Sequence, residues 1–226
     1  MADPRELLAR LNAKTVRFDT GVGGGSGALQ NIDIAHALGL VPAGLGKEVL
    51  QSCFLDHEVR ISPKLRIHVL GAVMKEWRRQ DEVLAAAKLD LHFNQAMAEF
   101  SNFTSPALRR SIENAQAAFD KAKAECWPRD AASMVAQITL AVLQEIAGSS
   151  GCDACHGMPM VPCTRCGGSG YVSWSDRTRA NAISRSQPSY RLAWSGMYQW
   201  VLSLLRDAEN DAIGHMSRAL SQREAA

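Results

Sequence analysis

Gly148-Ser-Ser-Gly-Cys152-Asp-Ala-Cys155-His-Gly157 and, five residues on, Cys163-Thr-Arg-Cys166-Gly-Gly-Ser-Gly170 decide how this chain is read. They hold two C-x-x-C pairs with seven residues between them. Each pair forms a tight turn that aims two thiolates at one point, and the glycines let backbone amides approach the sulfurs. Four soft ligands from two such knuckles make the closed tetrahedral set of a structural zinc, with Cys152, Cys155, Cys163 and Cys166 as ligands. Such a site keeps no open position for substrate, so one structural Zn²⁺ and no metal catalysis are expected. An iron–sulfur cluster, two redox pairs, or haem attachment at Cys152-Asp-Ala-Cys155-His156 are the other readings of the same residues. The stretch is too rich in glycine and proline for regular helix, and it separates two parts of the chain.

Upstream, nearly everything from Leu29 to Ala147 reads as helix. Residues 1–28 comprise a short helix around Glu6–Leu11 and a linker-like arm, Gly21 to Gly27, with five glycines in seven residues. Ser62-Pro63 opens a helix with a capping serine and a proline in the first turn. Leu65, Val69, Val73 and Trp77 form one buried stripe, and Leu89, Leu91 and Phe93 continue or restart it. Ser105-Pro106 starts another helix, and Trp127-Pro128 precedes the last, roughly 130–147. Its uncharged run, 131–144, is shorter than the roughly 20 apolar residues a bilayer needs, so it is expected to be a buried helix.

Downstream, Ser175 caps a helix extending to about Ser186, and Ser186-Gln187-Pro188-Ser189 starts a second, long amphipathic one. Its apolar positions are Trp194, Met197, Val201, Leu205, Ala208, Ala212, Met216 and Leu220. A short helix, a tight turn and a second helix with a polar N-terminus is the layout of a helix-turn-helix. The expected architecture is therefore mainly α: a helical body over 29–149, a four-cysteine zinc module over 150–174, and a helix-turn-helix unit with a long terminal helix over 175–226.

The net charge is only +2, from 25 Lys plus Arg against 23 Asp plus Glu, which excludes a globally basic nucleic-acid binder. The distribution is uneven. Residues 163–195 hold five arginines and one acid, Asp176. Arginine favours forked contacts to phosphate and guanine. Arg165, Arg177, Arg179, Arg185, Gln187, Ser189, Arg191 and Ser195 are the candidate DNA contacts. An earlier helix pair, Asp33 to Leu40 and around Leu45, has partial helix-turn-helix spacing. Glu48, Gly44, Gly46 and a near-neutral charge make it a core pair instead. Cys53 and Cys126 are expected to be packing thiols, and His36, His57, His68, His92 and His215 packing or surface residues. No nucleophile–base set, phosphate loop or paired-carboxylate arrangement is present, so no enzyme activity and no small-molecule substrate are expected. The N-terminus lacks the apolar core of a signal peptide, and no membrane association is expected; the clustered cysteines suit a reducing cytoplasm.

The order of these features resembles the antitermination Q proteins of lambdoid phages, of the lambda type. The matching segments are Asn31–Gly39 with Ala43–Gly46, the two cysteine knuckles with their glycine tails through Tyr171, and Ser186-Gln187-Pro188-Ser189-Tyr190. The resemblance implies a factor that binds double-stranded DNA at a phage late promoter. It implies engagement of the host RNA polymerase holoenzyme and elongation complex, which then ignore pauses and terminators. It also implies that the four cysteines hold zinc and that DNA is read at about 175–200. A regulator acting only at initiation, and a non-DNA zinc scaffold or chaperone-like module, are the competing readings. The second is suggested by similarity of the knuckles to the C-x-x-C-x-G-x-G units of J-domain chaperones.

Overall fold

The computed structural model describes residues 4–11, 30–55, 58–100, 105–148, 152, 154, 163, 164, 166 and 170–224. These residues are mainly helical and contain no β-strand. In order they form α1 (Pro4–Arg10), α2 (Asn31–Leu40), α3 (Leu45–Leu50), α4 (Pro63–Phe100), α5 (Pro106–Glu125), α6 (Ala131–Gly148), α7 (Asp176–Ala182), α8 (Gln187–Ser189) and α9 (Ser195–Glu224). A π-helical turn, Gln51–Leu55, follows α3, and another, Tyr190–Trp194, joins α8 to α9.

The helix starts follow from their caps. Ser62 Oγ accepts from the Leu65 amide at 3.0 Å, and Ser105 Oγ from Leu108 at 3.2 Å. Each serine precedes a proline that needs no amide partner in the first turn. Ser175 and Ser186 act in the same way on Thr178 and Ser189.

Two apolar clusters fill the interior. The larger joins Leu65, Val69 and Val73 of α4 to Ile138, Val142 and Ile146 of α6, to Ala180 and Ile183, and to Tyr190, Met197, Val201 and Leu205. The smaller joins Leu7 and Leu8 of α1 to Ile34 and Leu38 of α2 and to Ala212, Met216 and Leu220 of α9. The C-terminal helix therefore shares its core with the N-terminal ones, and α1 is docked on it.

The expected core pair α2–α3 packs on α9. A Cβ at Gly46 would overlap the Ala208 carbonyl oxygen and lie 2.9 Å from Ala212 Cβ, so glycine here permits backbone-close packing. The helix α6 is long and apolar enough to cross a membrane, but more than half of its window is buried inside the fold. It also carries the buried Glu145.

Two expectations need correction. Leu91 is buried, but Leu89 and Phe93 are 72% and 63% exposed, so the stripe of α4 does not continue into the core. The first helix after the cysteines ends at Ala182 rather than near Ser186. There the Arg185 amide donates to Ala180 O at 2.9 Å and the Ser184 amide to Asn181 O at 3.0 Å. Ser184 takes φ 53°, the left-handed residue of this C-terminal cap.

Candidate metal centre and the helix pair behind it

Three of the four expected ligands come together. Cys152, Cys163 and Cys166 have their sulfurs within 4.8 Å of one another. The Cys152 and Cys163 sulfurs are 3.7 Å apart. A disulfide would hold them at about 2.05 Å, whereas two thiolates on one tetrahedral zinc, with Zn–S of about 2.3 Å, lie about 3.8 Å apart. The spacing excludes a disulfide and fits sulfurs that could share an ion. Cys155 and Arg165 lie outside the described residues.

The backbone supports the cluster. Gly170 donates its amide to Cys166 Sγ at 3.3 Å, as expected of a glycine tail that lets an amide reach sulfur. Its φ of 78° is left-handed, which a glycine adopts without strain. The Cys152 amide donates to Gly170 O at 2.8 Å, tying the entry of the segment to its exit. Cys152 is fully buried. The three cysteines could hold a metal ion.

The segment leaving the cluster is fastened to the core at two points. The Tyr171 ring sits under two guanidinium groups, Arg206 at 4.4 Å and Arg5 at 5.0 Å. Both arginines pair with the fully buried carboxylate of Glu209, at 3.1 and 2.8 Å. Three residues later, the Trp174 amide donates to Glu145 Oε1 at 3.0 Å. Glu145 is the hub of the second anchor. It accepts from Arg179 Nη2 at 2.6 Å and Nε at 2.9 Å, and from the Tyr198 hydroxyl at 2.9 Å.

Arg179 is thus the main correction among the candidate DNA contacts. Its side chain is 5% exposed and forms a two-pronged pair with a carboxylate that is itself 2% exposed. It also lies over the Tyr198 ring. It fastens α7 to α6 and cannot reach a ligand outside. Burial, with the Glu145 charge adding to it, pushes the Tyr198 phenol well above its ordinary range and keeps it a donor.

The other candidates lie on the outer side. Arg177 and Arg185 are exposed, and among the described residues neither has a carboxylate partner. Arg185 touches Met134 Sδ and lies over Trp194. Arg191 is exposed and pairs with Asp176 at 2.8 Å across the turn. Gln187, Ser189 and Ser195 are half-buried, and Ser195 Oγ donates back to Arg191 O. Sequence reading missed Leu192, which is 90% exposed between these polar residues, on the π-helical turn. It also missed Glu145, Glu209 and Tyr198, which organise the interior.

The lone cysteines do not belong to the cluster. Burial pushes the Cys53 thiol well above its ordinary value, and it donates to Leu143 O. Cys126 is raised for the same reason, with Asp81 and Glu125 adding to it, and donates to Gln80 O. His36, His68, His92 and His215 are exposed, and His57 lies outside the described residues.

Comparison with protein-family models, curated proteins and solved structures gives no match.

Proposed function

We propose that the chain is a zinc-dependent transcription antitermination factor recruited by DNA, without catalytic chemistry of its own. The observation that carries this reading is the cysteine cluster joined, within ten residues, to a helix pair whose outer side bears Arg177, Arg185 and Arg191. Zinc is the ion that suits a thiolate set at this spacing. In this reading the fourth ligand is Cys155, and the ion fixes the loop that leads into α7. The helix pair binds the late promoter, and its exposed arginines supply phosphate and guanine contacts. Antitermination itself, and the host RNA polymerase as partner, rest on the resemblance carried by the knuckles and by Ser186-Gln187-Pro188-Ser189-Tyr190. The helical body is the surface offered to polymerase.

Run-off transcription with host polymerase and sigma factor, on a cognate late-promoter template ending in a terminator, tests the reading. Added protein should produce read-through; its absence would overturn the proposal. Promoter occupancy without protein on the elongating complex would make the chain a regulator of initiation. Arg177→Ala with Arg191→Ala should weaken DNA binding and flatten its salt dependence, since each lost phosphate contact lowers the slope by about 0.9. Activity untouched by that pair would favour the scaffold reading.

A further inference from the structure

The most exposed large apolar side chain among the described residues sits on the helix pair after the cysteines. Leu192 is 90% exposed, and among the described residues beyond 100 it is the only large apolar one that is exposed. The backbone accounts for this display. The Ser195 amide donates to Tyr190 O, five residues back, so the turn Tyr190–Trp194 holds one residue more than an α-helical turn. Tyr190 and Trp194 are both buried in the larger core cluster and hold the two ends of the turn. Between them, Arg191 and Leu192 stand outside.

Leu192 is not the edge of an apolar patch. Residues 187–224 run as one continuous helical stretch, in which side chains three and four residues apart are neighbours. Around Leu192 these are Pro188, Ser189, Ser195 and Gly196, none of them a large apolar group. The charge beside it is positive. Arg191 is its chain neighbour, and Arg185 lies over Trp194 of the same turn. Arg191 engages Asp176 through Nε, and among the described residues its Nη groups make no hydrogen bond. Arg177 follows Asp176 on α7.

This setting selects the partner. Protein and lipid surfaces reward contiguous apolar area, and one leucine among polar and cationic groups offers none. A DNA duplex is polar and anionic, and its major-groove edge carries isolated methyl groups, one on each thymine. RNA has no counterpart: uracil lacks the methyl, and the major groove is too deep and narrow for side chains to read. Resting on the DNA-binding role given to this helix pair above, we propose that Leu192 is its specificity-determining residue. Its side chain packs on the 5-methyl group of a thymine in the major groove.

Duplexes selected from a randomised DNA pool with the full-length, metal-loaded protein supply the probe. In a selected duplex each thymine is replaced in turn by deoxyuridine, which removes the methyl group and nothing else. Anisotropy titrations at one salt concentration then compare affinities. With the wild-type chain, replacing one particular thymine should weaken binding about fourfold, the weight of one buried methyl group. With Leu192→Ala the same replacement should change nothing. That variant should keep the wild-type circular dichroism, metal content and salt dependence, because the side chain is almost fully exposed and carries no charge. A selected duplex in which no thymine is sensitive overturns the inference and leaves DNA binding standing. So does a fourfold loss that persists in Leu192→Ala. A pool that yields no bound duplex overturns the DNA-binding role itself, and the thymine contact with it.

Discussion

Glu145→Gln separates a structural from a DNA-contacting Arg179. The carboxylate accepts four hydrogen bonds: two from the Arg179 guanidinium, one from the Tyr198 hydroxyl and one from the Trp174 amide. Glutamine keeps the shape but offers one oxygen and turns the other position into a donor. About two of the four donors then lose their acceptor, each at about 1–3 kcal/mol when buried. The guanidinium is also left without a counter-charge, and breaking a buried ion pair from one side costs about 3–5 kcal/mol in total. We expect a loss of about 4 kcal/mol in urea unfolding followed by far-UV circular dichroism. For a chain this size that lowers the melting temperature by about 8–16 °C. Replacing both partners, Glu145→Leu with Arg179→Met, should recover only the part due to the uncompensated guanidinium, because the Tyr198 hydroxyl and the Trp174 amide still lose their acceptor. A Glu145→Gln loss below about 1 kcal/mol would refute the anchor. So would an Arg179→Ala chain of unchanged stability that loses DNA affinity, since the arginine would then face outward.

Four further outcomes follow from the packing. Gly46→Ala should destabilise by about 1–3 kcal/mol, because the new methyl meets α9 backbone; Gly39→Ala, with nothing within 4 Å, should instead gain about 0.5–1 kcal/mol, and denaturant midpoints compare the two. Ser184→Gly should raise stability by up to about 1 kcal/mol in the same measurement, since φ 53° strains any residue with a Cβ. Cys53 should resist a thiol-disulfide reagent at pH 8 in the folded protein and react on unfolding. Its raised pKa also means that it disfavours the fold as pH rises above its unfolded value and stability falls with pH there, a slope that Cys53→Ala should remove. Chelation, or Cys163→Ser, should release the segment from 152 to 174 to proteolysis and weaken DNA binding while most helical signal persists.

The helices and the cysteine cluster were largely legible because their signals are local. Ser-Pro starts and four-residue apolar steps report on a helix wherever it packs, and a paired C-x-x-C brings its ligands together within fifteen residues. What could not be read depends on distant partners. Arg179 looks like its neighbours Arg177 and Arg185, and only Glu145, 34 residues upstream, distinguishes it. Gly46 marks a core pair in the sequence, but the need for glycine there comes from Ala208 of α9, far along the chain. By contrast, Leu89 and Phe93 stand two residues either side of Leu91. At about 100° per residue that puts them on the face opposite Leu65, Val69 and Val73, while Leu91 falls on it. The helical period thus separates the exposed pair from the buried residue, and placing all three on one stripe misreads that period.

The burial of Arg179 also changes how the metal and the helix pair depend on each other. Five arginines between 163 and 195 suggested a basic surface of +4. With Arg179 neutralised inside and Arg191 held by Asp176, that surface is smaller and more specific in shape. Its orientation then matters more than its charge. The orientation is set by α7, which is clamped by Glu145, and Glu145 also holds the Trp174 amide at the end of the segment leaving the cysteines. The other clamp on this segment, Tyr171 against Arg5 and Arg206, rests on the second buried carboxylate, Glu209. A thiolate-bound ion would stiffen the loop between its ligands, while the two carboxylates fix where that loop meets the core. Neither device would suffice alone: a bound ion would join Cys152, Cys163 and Cys166 without setting where they sit on the core, and the clamps set where Tyr171 and Trp174 meet the core without joining the sulfurs.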